Sequence, residues 1–386
     1  MHPAFSILFF TALAGTGQGL LVMLAIALLA GVPMAHSFVL LAVGLGEVLL
    51  VAGLAASFLH LGHKMRAWRA VLMWRTSWMS REVIVLPAFI GLVALWWLLL
   101  RNGNGVVPAW LSVLVLCGAL LLWFCTAMIY ACIRFIEEWA HPLTIVNFLL
   151  IGLSSGLVLG CALATATGQA DLLALAGPWA LRVTLAAGFC RALTLRRNAA
   201  LRHQSSLQSA TGIRAERLVQ KSMGMSAGAF NTREFFHGAS GLMLKNMKWG
   251  FVLLAFVLPA LMLIWGLQSQ SAWPWLLACL LQAPGVIAER WFFFAQAKHP
   301  QNLYYQTVSW GFCCWQHEEA PSGTPKNPLG PPPKKRLFLS RCPWPTANDQ
   351  RPRRSVQSGG SFCQAVELGA DIGHAAGDHH ATNLAR

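Results

Sequence analysis

The sequence predicts an all-α, polytopic membrane bundle of about eight transmembrane helices, with a disordered C-terminal tail. Three observations carry this. Of 386 residues, 56% are hydrophobic and only 11% charged, whereas soluble domains carry about a quarter charged residues. The apolar residues fall into eight runs long enough to cross a bilayer as helix, which takes about 20 residues. Beyond about Tyr305 the apolar period is lost and Pro, Ser, Gly and His take over, a composition that buries no core. Residues 1–306 therefore form the membrane domain and 307–386 the tail.

The runs are Phe5–Ala30, Phe38–Leu59, Val83–Leu100, Val107–Ile133, Leu143–Ala164, Leu172–Leu195, Trp249–Leu267 and Ala272–Ala295. The first is too long for the apolar region of a signal peptide and follows no basic segment, so it reads as a span. Gly15 and Gly19 in the first run, and Gly152, Gly156 and Gly160 in the fifth, recur every four residues. That spacing lets helix backbones approach closely in lipid. The sixth run holds Arg182 and Arg191. The expectation is that Pro178 begins the true span and each Arg snorkels to its nearer interface.

Net charge is +15. In a membrane chain this points to orientation, anionic lipid or an acidic partner rather than to nucleic acid. Lys64, Arg66, Arg69, Arg75 and Arg81 follow the second run, Arg134 follows the fourth, and a long set lies between Arg196 and Lys248; the odd-numbered connections carry only Arg101. The even-numbered connections, and with them both termini, are expected on the cytoplasmic side. The longest connection, 196–248, is polar at first. It then carries Asn231-Thr232-Arg233-Glu234-Phe235-Phe236-His237-Gly238, a mixture suited to an interfacial segment. In the tail, Arg351, Arg353, Arg354, His374, Asp378, His379 and His380 read as solvated groups, not a metal site. Ten Cys are scattered without a Cys-x-x-Cys pair, so the chain is expected to hold no iron–sulfur cluster. No pair of His lies inside the apolar runs, so no haem is expected either.

The groups that suit chemistry gather between the second and third runs. His60 ends the one and Glu82 begins the other. Consecutive helices joined by a short connection are usually antiparallel neighbours, which brings both side chains to one side of the membrane at similar depth. An imidazole with pKa near 6.5 and a carboxylate near 4.3 make an acceptor pair for protons. Trp68, Trp74 and Trp78 suit the interface and would rim a pocket for a lipid-soluble ring. Glu47 lies in the middle of the second run, where a carboxylate is costly; it is either an ionisable site or a protonated, hydrogen-bonded group. Glu137, Glu138 and His141 follow the fourth run on the side of His60, and Gln18 lies in the first. Glu289 and Arg290 near the end of the eighth run are expected to pair with each other.

His60-Leu61-Gly62, Met65-Arg66-Ala67 and Ser77-Trp78-Met79-Ser80-Arg81-Glu82 resemble the membrane anchor subunit of bacterial dimethyl sulfoxide reductases. Asn231–Gly238, Ala288-Glu289-Arg290-Trp291-Phe292-Phe293-Phe294-Ala295 and Asn302-Leu303-Tyr304-Tyr305-Gln306 are similar to segments of its longer members. The resemblance runs to about residue 306. It implies eight helices without haem in the bacterial inner membrane. It also implies oxidation of menaquinol, with electrons passed to a four-cluster iron–sulfur subunit and on to a molybdopterin subunit that reduces an S- or N-oxide. The family's quinol-site histidine corresponds to His60, and its acidic residue to Glu82; Arg66, Trp78 and Arg81 would complete the quinol site. Two other classes compete: a proton-coupled transporter using Glu47, and a purely structural anchor. The former lacks the internal repeat such transporters tend to show.

Overall fold

The structure is a computed structural model describing residues 4–59, 61, 63–102, 108–201, 206–213, 218, 239–269 and 271–300. Eight helices in it are long and apolar enough to cross a membrane. They are α1 (Phe5–Leu29), α2 (His36–Leu59), α3 (Trp78–Asn102), α4 (Ala109–Ala131), α5 (Pro142–Ala166), α6 (Ala170–Ala199), α7 (Gly241–Gln268) and α8 (Trp273–Ala295). The segment Asn231–Gly238, residues 301–386 and His60 lie outside the described residues.

The eight runs correspond to these helices, but several helices overrun the apolar stretch. α7 begins at Gly241 rather than Trp249, because Ser240 caps it by accepting the Met243 N–H at 3.2 Å. Its first turns carry Lys245, Asn246 and Lys248 and so stand outside the hydrocarbon. α6 is continuous from Ala170 through Pro178, so Pro178 does not start the span. A proline is tolerated inside a membrane helix when neighbouring groups satisfy the freed carbonyl.

α1 is the central helix. Some 72% of its apolar stretch is buried, against 28% for α3 at the periphery. It packs against α2, α4, α5 and α8. Small residues make this possible: Gly19 of α1 lies directly on the backbone of Gly152 and Gly156 of α5, and Gly17 faces the backbone of Gly46 in α2. A side chain at these positions would drive the helices apart.

α7 contains a π-turn at Leu253–Val257, just before Pro259. Proline has no N–H to give the carbonyl four residues back, so the Ala255 carbonyl needs another donor. Gln282 of α8 supplies it at 3.1 Å, and its Nε2 also donates to Ser154 Oγ of α5 at 2.9 Å. Ser154 in turn shares a hydrogen bond with Thr184 of α6 at 2.8 Å. One amide thus ties α5, α6, α7 and α8 together inside the bundle.

Hydrogen bonds identify the two ends of the bundle. At one, the Ala35 N–H donates to Gln169 Oε1 at 3.0 Å, joining the α1–α2 and α5–α6 connections. At the other, Arg197 donates to the Glu137 carbonyl at 3.0 Å and the Trp139 indole to the Phe293 carbonyl at 3.1 Å. The second end carries the basic connections.

Candidate functional site

At the basic end, the α2–α3 connection folds as a 3₁₀ helix, Lys64–Met73, unusually long for that geometry. It leaves Met65, Trp68, Leu72, Met73 and Trp74 exposed, with Arg66 and Arg69 exposed among them. Its exit is clamped by Arg81 at the start of α3. The Arg81 guanidinium donates to the carbonyls of Trp74 at 3.0 Å and Arg75 at 2.9 Å and lies 4.1 Å from the centre of the Trp78 ring. Trp78 packs edge-on against Phe124 of α4. Arg81 and Trp78, both expected beside a bound quinol, are thus engaged in holding the loop against α3 and α4; Arg66 points to the outside.

Glu82 follows one residue later and is buried. The Thr126 hydroxyl of α4 donates a hydrogen bond to its Oε1. Tyr130 lies one helical turn beyond Thr126 on α4. The Tyr130 ring is held by Trp139, Phe148, Phe293 and Phe294. A carboxyl, a hydroxyl and a phenol therefore follow one another from the α2–α3 connection towards α8, the first two joined by a hydrogen bond. The expected partnership of His60 with Glu82 falls on a residue outside the described ones.

A second polar cluster lies about 9–12 Å inside the basic ends of α6 and α8, at roughly 1.5 Å rise per residue. Arg191 Nε and Glu289 Oε1 are 2.8 Å apart, each side chain 1% exposed. Arg191 therefore does not snorkel. A carboxylate at the same depth on the facing helix offers a nearer partner than the interface, and hydrocarbon makes an unpaired charge expensive. Arg182 is exposed, 5.0 Å from the Trp179 ring. The expected Glu289–Arg290 pair is present but longer, at 3.4 Å. Arg290 lies 4.0 Å from the centre of the Phe148 ring. The triad carries one net positive charge. Beside it a largely apolar groove of 450 Å³ runs between α6 and α7, with Arg191, Phe189 and Ile264 in its lining.

The remaining candidates are less engaged. Glu47 is half-buried in α2, and its buried Oε2 meets no hydrogen-bond partner among the described residues. Gln18 is buried and donates to its own helix at Ala14. His141 caps α5, its Nδ1 accepting the Leu143 N–H at 3.1 Å. Burial, and then the nearby positive charge of Arg197, hold its imidazole below the ordinary value. No group of metal-ligating side chains occurs among the described residues.

Sequence reasoning missed Thr126, Tyr130 and the Arg191–Glu289 pairing. For the last a signal existed: an Arg on one span and a Glu on another, at matching depth from the same end. Thr126 and Tyr130 carried none, since a hydroxyl in an apolar run is ordinary until its partner is known.

Two comparisons bear on identity. The family model described as "DMSO reductase anchor subunit (DmsC)" matches residues 1–296. The chain is also similar to a sulfite dehydrogenase subunit of Allochromatium vinosum, 44% identical over 327 residues, which is 80% of this chain and all of that protein.

Proposed function

We propose, from the premise that this chain belongs to the DMSO reductase anchor subunit family, that it exchanges electrons between a lipid-soluble quinol and a docked iron–sulfur partner. As a member it is a multi-pass protein of the bacterial inner membrane and an anchor subunit of a molybdoenzyme complex. The observation that carries the proposal is the buried Glu82 carboxyl, with its Thr126 donor, at the foot of the α2–α3 connection.

In this reading menaquinol enters from the bilayer beneath the 3₁₀ helix. Its oxidation releases two protons and two electrons. His60 accepts one hydroxyl proton, as an imidazole with a pKa near working pH does. Glu82 orients His60 or accepts the second proton. Arg81 and Trp78 keep the connection seated, so that Glu82 stays covered. The electrons leave for an iron–sulfur cluster of the partner and then for a molybdopterin subunit that reduces an S- or N-oxide. The exposed Arg66, Arg69 and Trp68 offer that partner a basic and aromatic surface.

A second direction of flow is favoured by the relative, which belongs to a sulfite dehydrogenase. Electrons from a sulfite-oxidising partner would then reduce quinone at the same residues, with Glu82 and His60 delivering protons instead of taking them. The test is to purify the assembled complex and measure both quinol-dependent S-oxide reduction and sulfite-dependent quinone reduction. Glu82→Gln and His60→Ala are expected to lower whichever activity is present about a hundredfold or more, with all subunits still bound. Undiminished activity in both variants would make the chain a structural anchor. Solute uptake into vesicles by the chain alone would favour the transporter reading built on Glu47.

A further inference from the structure

A second cavity, of 290 Å³, opens at the basic end where the ends of α6 and α8 meet α7. It is separate from the Glu82 region, and its lining is part polar and part apolar. Asn198 from the end of α6, Lys248 from α7, and Gln296 and Lys298 beyond α8 line it, together with Glu138 and Phe292. Two of its donors lack partners: Asn198 Nδ2 and Gln296 Nε2 are both buried and meet no acceptor among the described residues. The Asn198 amide has a fixed sense, because Arg197 Nη1 donates to its Oδ1 at 3.0 Å, which leaves the NH₂ as the unsatisfied end. Buried donors of this kind normally find an acceptor.

The charge has the same sign. Lys248 and Lys298 outweigh Glu138 by one positive charge. The site lies at the level of the lipid headgroups: Trp249, next to Lys248, is 56% exposed, and tryptophan is enriched at that level.

We propose that this pocket binds the phosphodiester of an anionic phospholipid. The phosphate oxygens accept from the amides of Asn198 and Gln296 and neutralise the excess charge of Lys248 and Lys298. Leu195 and Leu201, half-buried in the lining, take the start of the acyl region. Free inorganic phosphate shares the oxygen chemistry, but it leaves the half-buried Leu195 and Leu201 of the lining uncovered and has no reason to settle at headgroup depth. The inference goes beyond the electron-transfer reading and stands whether or not that reading does.

The test is native mass spectrometry of the intact complex, delipidated and titrated with phosphatidylglycerol. One lipid should be retained saturably. Lys248→Gln and Lys298→Gln should each weaken it about fivefold, and together about 25-fold. Lys245→Gln, an exposed position of α7 outside the lining, should leave it unchanged. Asn198→Asp keeps the acceptor for Arg197 but turns an oxygen towards the phosphate, and should abolish retention without loss of assembly; it carries the test if the double variant fails to assemble. Equal retention in wild type, the double variant and Asn198→Asp would overturn the proposal. Displacement of the lipid by millimolar inorganic phosphate would assign the pocket to the free anion. Loss of partner subunits from the pocket variants, with the lipid retained as in wild type, would place the lipid elsewhere and assign this pocket to protein docking. Either result would overturn lipid binding.

Discussion

Glu289→Gln should damage this protein much more than Arg191→Met, although the two residues face each other across a single 2.8 Å contact. The reason is the third member. Replacing Arg191 leaves Glu289 with Arg290, 3.4 Å away, and the cluster becomes neutral. Replacing Glu289 leaves two guanidinium groups without a counter-charge. Breaking a buried pair so that a charge is stranded costs about 3–5 kcal/mol. Losing one ion-pair contact while the remaining ions stay paired costs less, about 1–2 kcal/mol. The difference, about 1–4 kcal/mol, corresponds to roughly 2–16 °C in melting temperature at 2–4 °C per kcal/mol. The double variant strands only Arg290 and should melt above Glu289→Gln alone. The assay is thermal unfolding of the purified complex in one detergent at fixed lipid content. Equal shifts for the two single variants, or a larger one for Arg191→Met, would refute the reasoning, because the carboxylate would then not be balancing both cations.

Three other outcomes follow from particular contacts. Gly156→Ala should destabilise the bundle by at least about 1–3 kcal/mol, since its Cβ would overlap the backbone of Gly19 and Leu20, while Gly91→Ala, with open space around it, should melt like wild type. Thr126→Val should lower quinone-linked turnover about tenfold, the worth of one hydrogen bond to a charged group, and Thr126→Ser should restore it; unchanged turnover in the valine variant would remove Thr126 from the site. The His141 cap requires a neutral Nδ1, and burial and Arg197 hold its pKa below 6.5. Its folded-state pKa is depressed, so the unfolded chain binds the proton more readily. Its contribution to stability is whole above pH 6.5 and fades as pH falls from there towards the folded value. His141→Asn keeps an N-cap acceptor without a proton site and should flatten the fall in melting temperature below about pH 6.5; an unaltered fall would place its origin elsewhere.

The family, the eight spans and their order were legible in the sequence because hydrocarbon admits few solutions. A backbone crossing it must satisfy its own hydrogen bonds, so an apolar run of sufficient length is a helix. The close passage of α1 against α5 was legible too, from glycines four residues apart. Glu82 was placed correctly at the head of α3, because a carboxylate at the end of an apolar run stands out. Helix ends were less legible. α7 starts at Ser240–Gly241 through a cap and a charged first turn, and hydropathy registers only the part inside the membrane.

What each charge does was decided by the tertiary structure alone. Arg191 reads as a snorkelling residue along its own helix and becomes an ion-pair partner only when α8 brings Glu289 to the same depth. Gln282 looks like a stray polar residue until Pro259 leaves the Ala255 carbonyl without a donor. Thr126 and Tyr130 acquire roles only because α4 packs on α3 and its end carries the Tyr130 ring to Phe293 and Phe294 of α8. Burial in lipid acts on each helix separately and is written along the chain, whereas electrostatic pairing and hydrogen bonding reach only a few ångströms and depend on which helices become neighbours.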